Sequence, residues 1–206
     1  MTPRTTGASR APRKTADGGS EARERLLRTA SELFYAEGIH VVGVDRIIAE
    51  AGVTRATFYR HFPSKQDLVE AYIGVEDTNI RAMLDRARAA TDDPAALIGL
   101  LIDGIAEDAA RHHVRGCPFI NAAAEYPDPG SRVRRAVDDH RSWFRGALEE
   151  VLDAAGVEGS ARRAGRLVLL RDAALVGGYL DGWENVREVF LSGAHEAVGL
   201  DQGLRD

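Results

Sequence analysis

The stretch from Ile47 to Phe62, IIAEAGVTRATFYRHF, holds the side chains with the clearest chemistry in this chain. Arg55, Thr57, Tyr59, Arg60 and His61 crowd into one short segment, and Ala56 leaves room for a second surface to come close. They form no nucleophile–base pair. They are hydrogen-bond donors and half-apolar groups suited to the edges of stacked bases. An arginine can meet guanine O6 and N7 with two hydrogen bonds, worth about 1–3 kcal/mol of discrimination, and a threonine offers both a hydroxyl and a methyl. Arg55 and Thr57 are therefore the candidates for base-edge contact in a major groove.

Such side chains read a groove only when a helix carries them and a fixed turn aims that helix. The elements for this are legible around them. Ile47, Ile48 and Ala51 make the apolar face of a helix that begins near Val44 or Asp45. Gly52, free of Cβ, can turn at positive φ, and Val53 follows as an apolar plug. Thr54 is a good N-cap for the reading helix, expected from Arg55 to about His61, because its hydroxyl accepts an orphaned backbone N–H. Phe58 and Phe62 are expected in the core below. An earlier helix is predicted from Ser20 to Glu37, with Leu26, Leu27, Ala30, Leu33 and Phe34 at three- to four-residue spacing and Gly38 just past its end. Pro63 breaks the chain, and Ser64 with Asp67 forms the start of a long fourth helix.

Beyond it, residues 65–90, 94–113, 118–126, 129–155, 160–183 and 185–199 show helical periodicity, punctuated by Asp92-Asp93-Pro94, Arg115-Gly116, Pro127-Asp128-Pro129-Gly130 and Gly156. No segment sustains a period of two, so the fold expected is all-α: an N-terminal three-helix helix-turn-helix DNA-binding domain and a C-terminal helical-bundle domain for ligand binding and dimerisation. The boundaries are residues 1–19 as a flexible basic arm, 20–65 as the DNA-binding domain and 66–206 as the second domain. The arm is rich in Thr, Ala, Arg and Gly, and its arginines could lie in an adjacent minor groove.

The net charge of −5 looks wrong for a DNA binder, but its distribution is not. Residues 1–65 hold 11 Lys+Arg against 7 Asp+Glu, a net of +4, whereas the remaining 141 hold 16 against 25, a net of −9. Such asymmetry points to nucleic-acid contact at one end. Hydrophobic residues at 44% suffice for a core, and there is no apolar run long enough to span a membrane and no apolar segment of signal-peptide type at the start. The single Cys117 excludes an internal disulfide and fits a reducing cytoplasm.

From about Arg25 to Ala71 the chain resembles the tetracycline-repressor-like (TetR) family of bacterial transcriptional regulators. The likeness is carried by LFYAEG at the end of the first helix, VDRIIAEAGVT, TFYRHFPSK and DLVEAYI, with a weaker likeness at RGCPFINAAAEYPDP. One departure is Gly43, where members usually have Thr or Ser. The resemblance implies that Tyr59, His61 and Lys65 face phosphates, which fixes register without reading sequence. Thr54 would touch a phosphate as well as cap its helix, and Arg46 would add a contact at the groove edge. With Arg55, Ala56 and Thr57 these complete the expected DNA-binding set.

One such unit reads too few base pairs for a useful address, so a homodimer on a pseudo-palindromic operator is expected, with half-sites about 34–36 Å apart or multiples of that. The stretch Leu167 to Leu180 is apolar on nearly all sides, and Val186, Val189, Phe190, Ala194 and Ala197 stripe the last helix, which asks for burial on two sides. By the resemblance these helices would pair with their copies in a four-helix bundle.

The middle helices are expected to hold a small-molecule effector. Cys117, Asn121 and Glu125 are spaced to share one helix face. Trp143, Phe144, Arg171 and Tyr179 are the further candidates for an apolar cleft with a few polar groups, with His140 beside them. Pro118 suits a first helical turn, placing Cys117 at a helix N-terminus, where thiols become more reactive. His112, His113 and His140 with Asp138 and Asp139 lack the spacing of a metal site, so neither metal nor cofactor is expected. There is no Gly-rich phosphate loop, CxxC pair or nucleophile elbow, which argues against an enzyme. The function expected is sequence-specific regulation of transcription, as a repressor released by its effector. The alternatives are a redox or electrophile sensor acting through Cys117, and a helical protein-interaction module without ligand control.

Overall fold

The computed structural model describes residues 17–199, so the basic residues Arg4, Arg10, Arg13 and Lys14 of the expected arm lie outside the described residues. The described elements are all α-helical. They run α1 (Asp17–Glu37), α2 (Val44–Glu50), α3 (Arg55–His61), α4 (Lys65–Ala90), α5 (Pro94–Arg111), α6 (Pro118–Glu125), α7 (Arg132–Ala154), α8 (Ser160–Asp181) and α9 (Trp183–Val198). The first helix thus starts three residues ahead of the predicted Ser20 and takes the end of the expected arm into its first turn.

Local chemistry sets most of the boundaries. Thr54 Oγ1 accepts from Thr57 N at 3.1 Å and starts α3. Ser64 and Asp67 form a reciprocal capping box at the start of α4. Asp93 caps α5, with Pro94 in the first turn, where a missing N–H costs nothing. The last predicted turn of α5 does not form. The amides of His112 and His113 both bond back to the carbonyl of Asp108, which closes the helix and folds His113 inward. The start of α7 is likewise later than the pattern suggested. Asp128 Oδ1 accepts from Gly130 N at 2.8 Å in a tight turn, and only Ser131, whose side chain accepts from Arg134 N, opens the helix.

Helices α1–α3 close over a small core in which Leu26, Ile47 and Phe58 have no exposed surface. That core continues without a break into α4, through Leu68, Val69 and Tyr72. The second half is a layered bundle with Ile102, Phe119, Leu152, Leu167 and Leu175 at its centre. Helices α8 and α9 form a tight pair. A Cβ on Gly177 would lie 3.2 Å from Val186 Cγ1, and one on Gly178 3.5 Å from Trp183. These two glycines therefore let α8 approach the neighbouring helix of the same chain closely.

Two ties join the halves. Glu125, on the last turn of α6, accepts from the amides of Ile39 (2.7 Å) and His40 (2.5 Å) in the loop between α1 and α2. Tyr35, near the end of α1, donates its hydroxyl to Gly116 O at 3.0 Å and accepts from Arg115 N at 2.7 Å. Hydrogen bonds to a charged group contribute about 1.5–3 kcal/mol, and stranded donors add cost. Replacing Glu125 by Ala should lower the unfolding free energy by about 2 kcal/mol. Denaturant titration checks this, and a change below about 0.5 kcal/mol would show the clasp to be energetically idle.

Candidate DNA-reading surface and sensor core

The reading surface is built by the turn between α2 and α3. Gly52 sits at φ 63°, with its amide bonded to Ala49 O and that of Val53 to Ile48 O. Capping then fixes the axis of α3, and Phe58 and Phe62, both buried, pin its rotation. With that face inward, Thr54, Arg55, Ala56, Tyr59 and Arg60 are exposed, while Thr57 and His61 are half-buried at the edges. Thr57 Oγ1 lies 2.9 Å from Thr54 Oγ1, so the two hydroxyls form one polar unit at the helix start.

The arginines of this surface are tethered. Arg55 pairs with Asp45. Arg46 lies between Glu50 (2.7 Å) and Glu37 (2.7 Å to Oε1), which holds the Glu37 carboxyl below its ordinary value. All these groups are exposed, and such pairs are worth little in water. They hold the side chains extended at small cost, and phosphate or a base edge can replace the carboxylates. Lys65 differs. It is half-buried, its Nζ donates to Ile39 O at 2.5 Å, and burial pulls its pKa down. Instead of standing free toward a phosphate, it holds the same loop that Glu125 holds. Gly43 precedes α2 with no side-chain cap, as its lack of a hydroxyl requires.

The expected sensor residues divide. Cys117, Asn121 and Glu125 do share a face of α6, but that face spans three environments. Cys117 is buried with Arg171 Nη1 at 3.7 Å, Asn121 Nδ2 donates to Arg115 O at 3.3 Å, and Glu125 holds the α1–α2 loop. Glu125 is thus a tie between the halves and not part of a cleft with Cys117. Phe144 and Arg171 do meet, with the guanidinium carbon 5.1 Å from the ring centre. Trp143 stacks instead under Arg81 at 3.9 Å. Tyr179 is 52% exposed on the outer side of α8. It lies eight residues past Arg171, about 80° further round the helix and about 12 Å along it, so it does not join the Phe144–Arg171 contact.

Two buried polar centres lie in this half: His140, expected beside the cleft, and His113, weighed in sequence only as a metal candidate. His140 donates from Nδ1 to Asp77 Oδ1 at 2.8 Å and stacks on Phe119 with ring centres 3.6 Å apart. Burial, opposed by Asp77 and assisted by the nearby Arg171 charge, lowers its pKa to about 4, so the ring is neutral near pH 7. His113 bridges Asp108 (2.7 Å) and Glu76 (3.3 Å). Burial works against its charge, but the two carboxylates prevail and raise its pKa to about 9. Both centres had a sequence signal. His140 stands on the apolar stripe Val133, Val137, Phe144, and Asp108 on the stripe Leu101, Ile105, where a polar residue needs a partner.

Comparison with known proteins agrees with this geometry. The family model described as bacterial regulatory proteins, tetR family, matches residues 26–72. The HTH-type transcriptional repressor BepR of Brucella suis is 28% identical over 205 residues, 94% of this chain and 96% of that protein. The transcriptional regulator AcuR of Cereibacter sphaeroides is 32% identical over 177 residues, 84% of this chain and 77% of that protein. A crystal structure of a TetR-family transcriptional regulator from Streptomyces coelicolor superimposes with a TM-score of 0.83 at 46% identity, covering 87% of this chain and 95% of that one.

The two histidines act on stability with opposite sign. His113 binds its proton more tightly folded than unfolded, so its contribution is complete below about pH 6.5 and is lost as pH rises through about 9. His140 is neutral in the fold, so stability is lost as pH falls from about 6.5 toward 4, where the unfolded chain takes up the proton. The melting temperature should therefore peak near about pH 6.5 and fall on either side. In His113→Gln the alkaline decline, on the order of 2–3 kcal/mol, should flatten. An unchanged alkaline limb in that variant would remove His113 as its cause.

Proposed function

This chain belongs to the tetR family of bacterial regulatory proteins, DNA-binding helix-turn-helix regulators of transcription, and we infer that it is a homodimeric repressor that a small-molecule effector releases from a pseudo-palindromic operator. The observation that carries this reading is the exposed face of α3: Arg55, Ala56 and Tyr59 over a capped, pinned helix, with Thr57 at its edge. Arg55 and Thr57 read base edges. Thr54, Tyr59 and His61 meet phosphates, and Arg46 works at the groove edge. Residues 20–65 act as the reading head and 66–206 as the sensor and dimer body. The name of the similar BepR supports the repressor role.

Pairing of two heads is supported by apolar surface left on α8 and α9. Leu169, Val176 and Leu180 repeat at helical spacing, Tyr179 stands beside them, and Val189 follows on α9; all are exposed in a single chain. Apolar side chains grouped in this way mark an interface. Release needs an effector that favours one head spacing over another, and operator DNA must then weaken effector binding by the same factor. Helix α6 is suited to carry that bias, since it begins beside Arg171 and ends on the loop of the reading head.

Two measurements test the reading. Arg55→Ala should cost about 1–3 kcal/mol on the best operator and relax preference at one base pair of each half-site. Binding by fluorescence anisotropy against a set of operator variants checks it, and an equal loss on every sequence would demote Arg55 to a phosphate contact. Leu180→Glu should give monomers in sedimentation and lose tight operator binding; a dimeric variant would move the interface elsewhere.

A further inference from the structure

Two nearly fully buried side chains each leave a nitrogen without a hydrogen-bond partner: Arg171 Nη2 on α8 and His140 Nε2 on α7, at 3% and 2% residue exposure. Interiors rarely leave such groups empty. Both flank the Phe144 ring. The Phe144 ring lies 5.1 Å from the Arg171 guanidinium carbon and 6.1 Å, nearly parallel, from the His140 ring.

The two nitrogens differ in kind. His140 spends its Nδ1 proton on Asp77 and stays neutral, so Nε2 offers a bare lone pair. Arg171 offers N–H donors and a charge that is poorly balanced. Its nearest carboxylate, Asp172 at 3.5 Å, is already held by both arms of Arg141, at 3.2 and 2.7 Å. Inside a protein an under-compensated guanidinium favours an anionic oxygen.

Phe144 also lines an apolar void of about 10 Å³, closed by Ile80, Leu84, Leu101 and Ile105 with Met83. Ile80 and Met83 also line an outer cleft of about 840 Å³ between α1, α4 and α5. A pliable methionine therefore separates the void from a solvent-facing entrance of drug-pocket size. Of the carboxylates at that entrance, Glu32, Asp103 and Glu107 are exposed, where salt and water screen them, and Asp108 and Glu76 are bridged by His113. The buried end sets the preferred sign.

We propose that the effector of this chain is an apolar monocarboxylate, its carboxylate on Arg171, a hydroxyl or N–H donating to His140 Nε2, and its hydrocarbon body running past Phe144 and, with Met83 displaced, into the outer cleft. This rests on the reading of the chain as an effector-released DNA binder. The test uses the full chain with octanoate, 2-hydroxyoctanoate, phenylacetate and mandelate, each beside the primary amide of the same skeleton. Melting temperature and release of a fluorescent operator are read in parallel. At least one acid should raise the melting temperature and release the operator at a concentration at least tenfold below its amide, and the hydroxylated member of a pair should bind more tightly. Arg171→Gln should bring the acid-to-amide ratio near one. Should that variant not fold, the ratio on the native chain decides alone. The proposal is overturned if no acid acts, if amides match acids, or if Arg171→Gln keeps the preference. Release by an uncharged or cationic compound alone would remove the anionic class and leave effector release standing. Failure of the unliganded chain to bind any palindrome would instead remove the functional reading.

Discussion

The loop after α1 exposes the amides of Ile39 and His40, and a carboxylate 86 residues away from Ile39 receives them. Lys65 closes the other side of the loop by donating to the Ile39 carbonyl. The position of the reading head depends on this arrangement. Helix α1 runs into the loop, α2 starts from it, and α3 is set on α2 by the turn at Gly52. Surface ion pairs could not hold such a geometry, because water competes for both partners. A carboxylate accepting two backbone amides can, since its hydrogen bonds are charge-assisted and short.

The same short helix meets the least comfortable part of the core. At its N-terminus Cys117 lies beside Arg171, whose charge shares one aspartate with Arg141. A few residues earlier, Tyr35 grips the stretch of chain that leads into α6, and His113 next to it bridges the buried Asp108 and the half-buried Glu76. Charge in a low-dielectric interior makes small displacements expensive, so an added anion at Arg171 has a route to the α1–α2 loop through a single rigid element. Selection for tight packing alone would not leave two unpartnered nitrogens there.

Much of the reading head was legible because its determinants are local. A threonine caps the third residue after it, a serine and an aspartate cap each other, and a glycine turns at positive φ; each spans at most four residues. The apolar stripe that buries Phe58 thereby exposes Arg55 and Tyr59. The sensor half was less legible. The spacing of Cys117, Asn121 and Glu125 correctly put them on one face, yet helical periodicity does not say what that face meets along its length. Tyr179 was grouped with Arg171 on residue type, and helix geometry separates them. The arginines of α2 and α3 read correctly as exposed cations, but their carboxylate partners come from elements ten residues away or fewer that only the turn brings together.

The sequence alone determined the all-helical class, the capped turn and the face of α3 that stays outside, because hydrogen bonds and periodicities within a few residues decide these; the family was legible only as a resemblance in its motifs. Tertiary structure decided that Glu125 and Lys65 clasp one loop, that His113 is charged while His140 is neutral, and that Arg171 is buried with one guanidinium nitrogen unpartnered. Those outcomes rest on distances between helices far apart in the chain, and on desolvation, which depends on everything packed around a group and not on its neighbours in sequence.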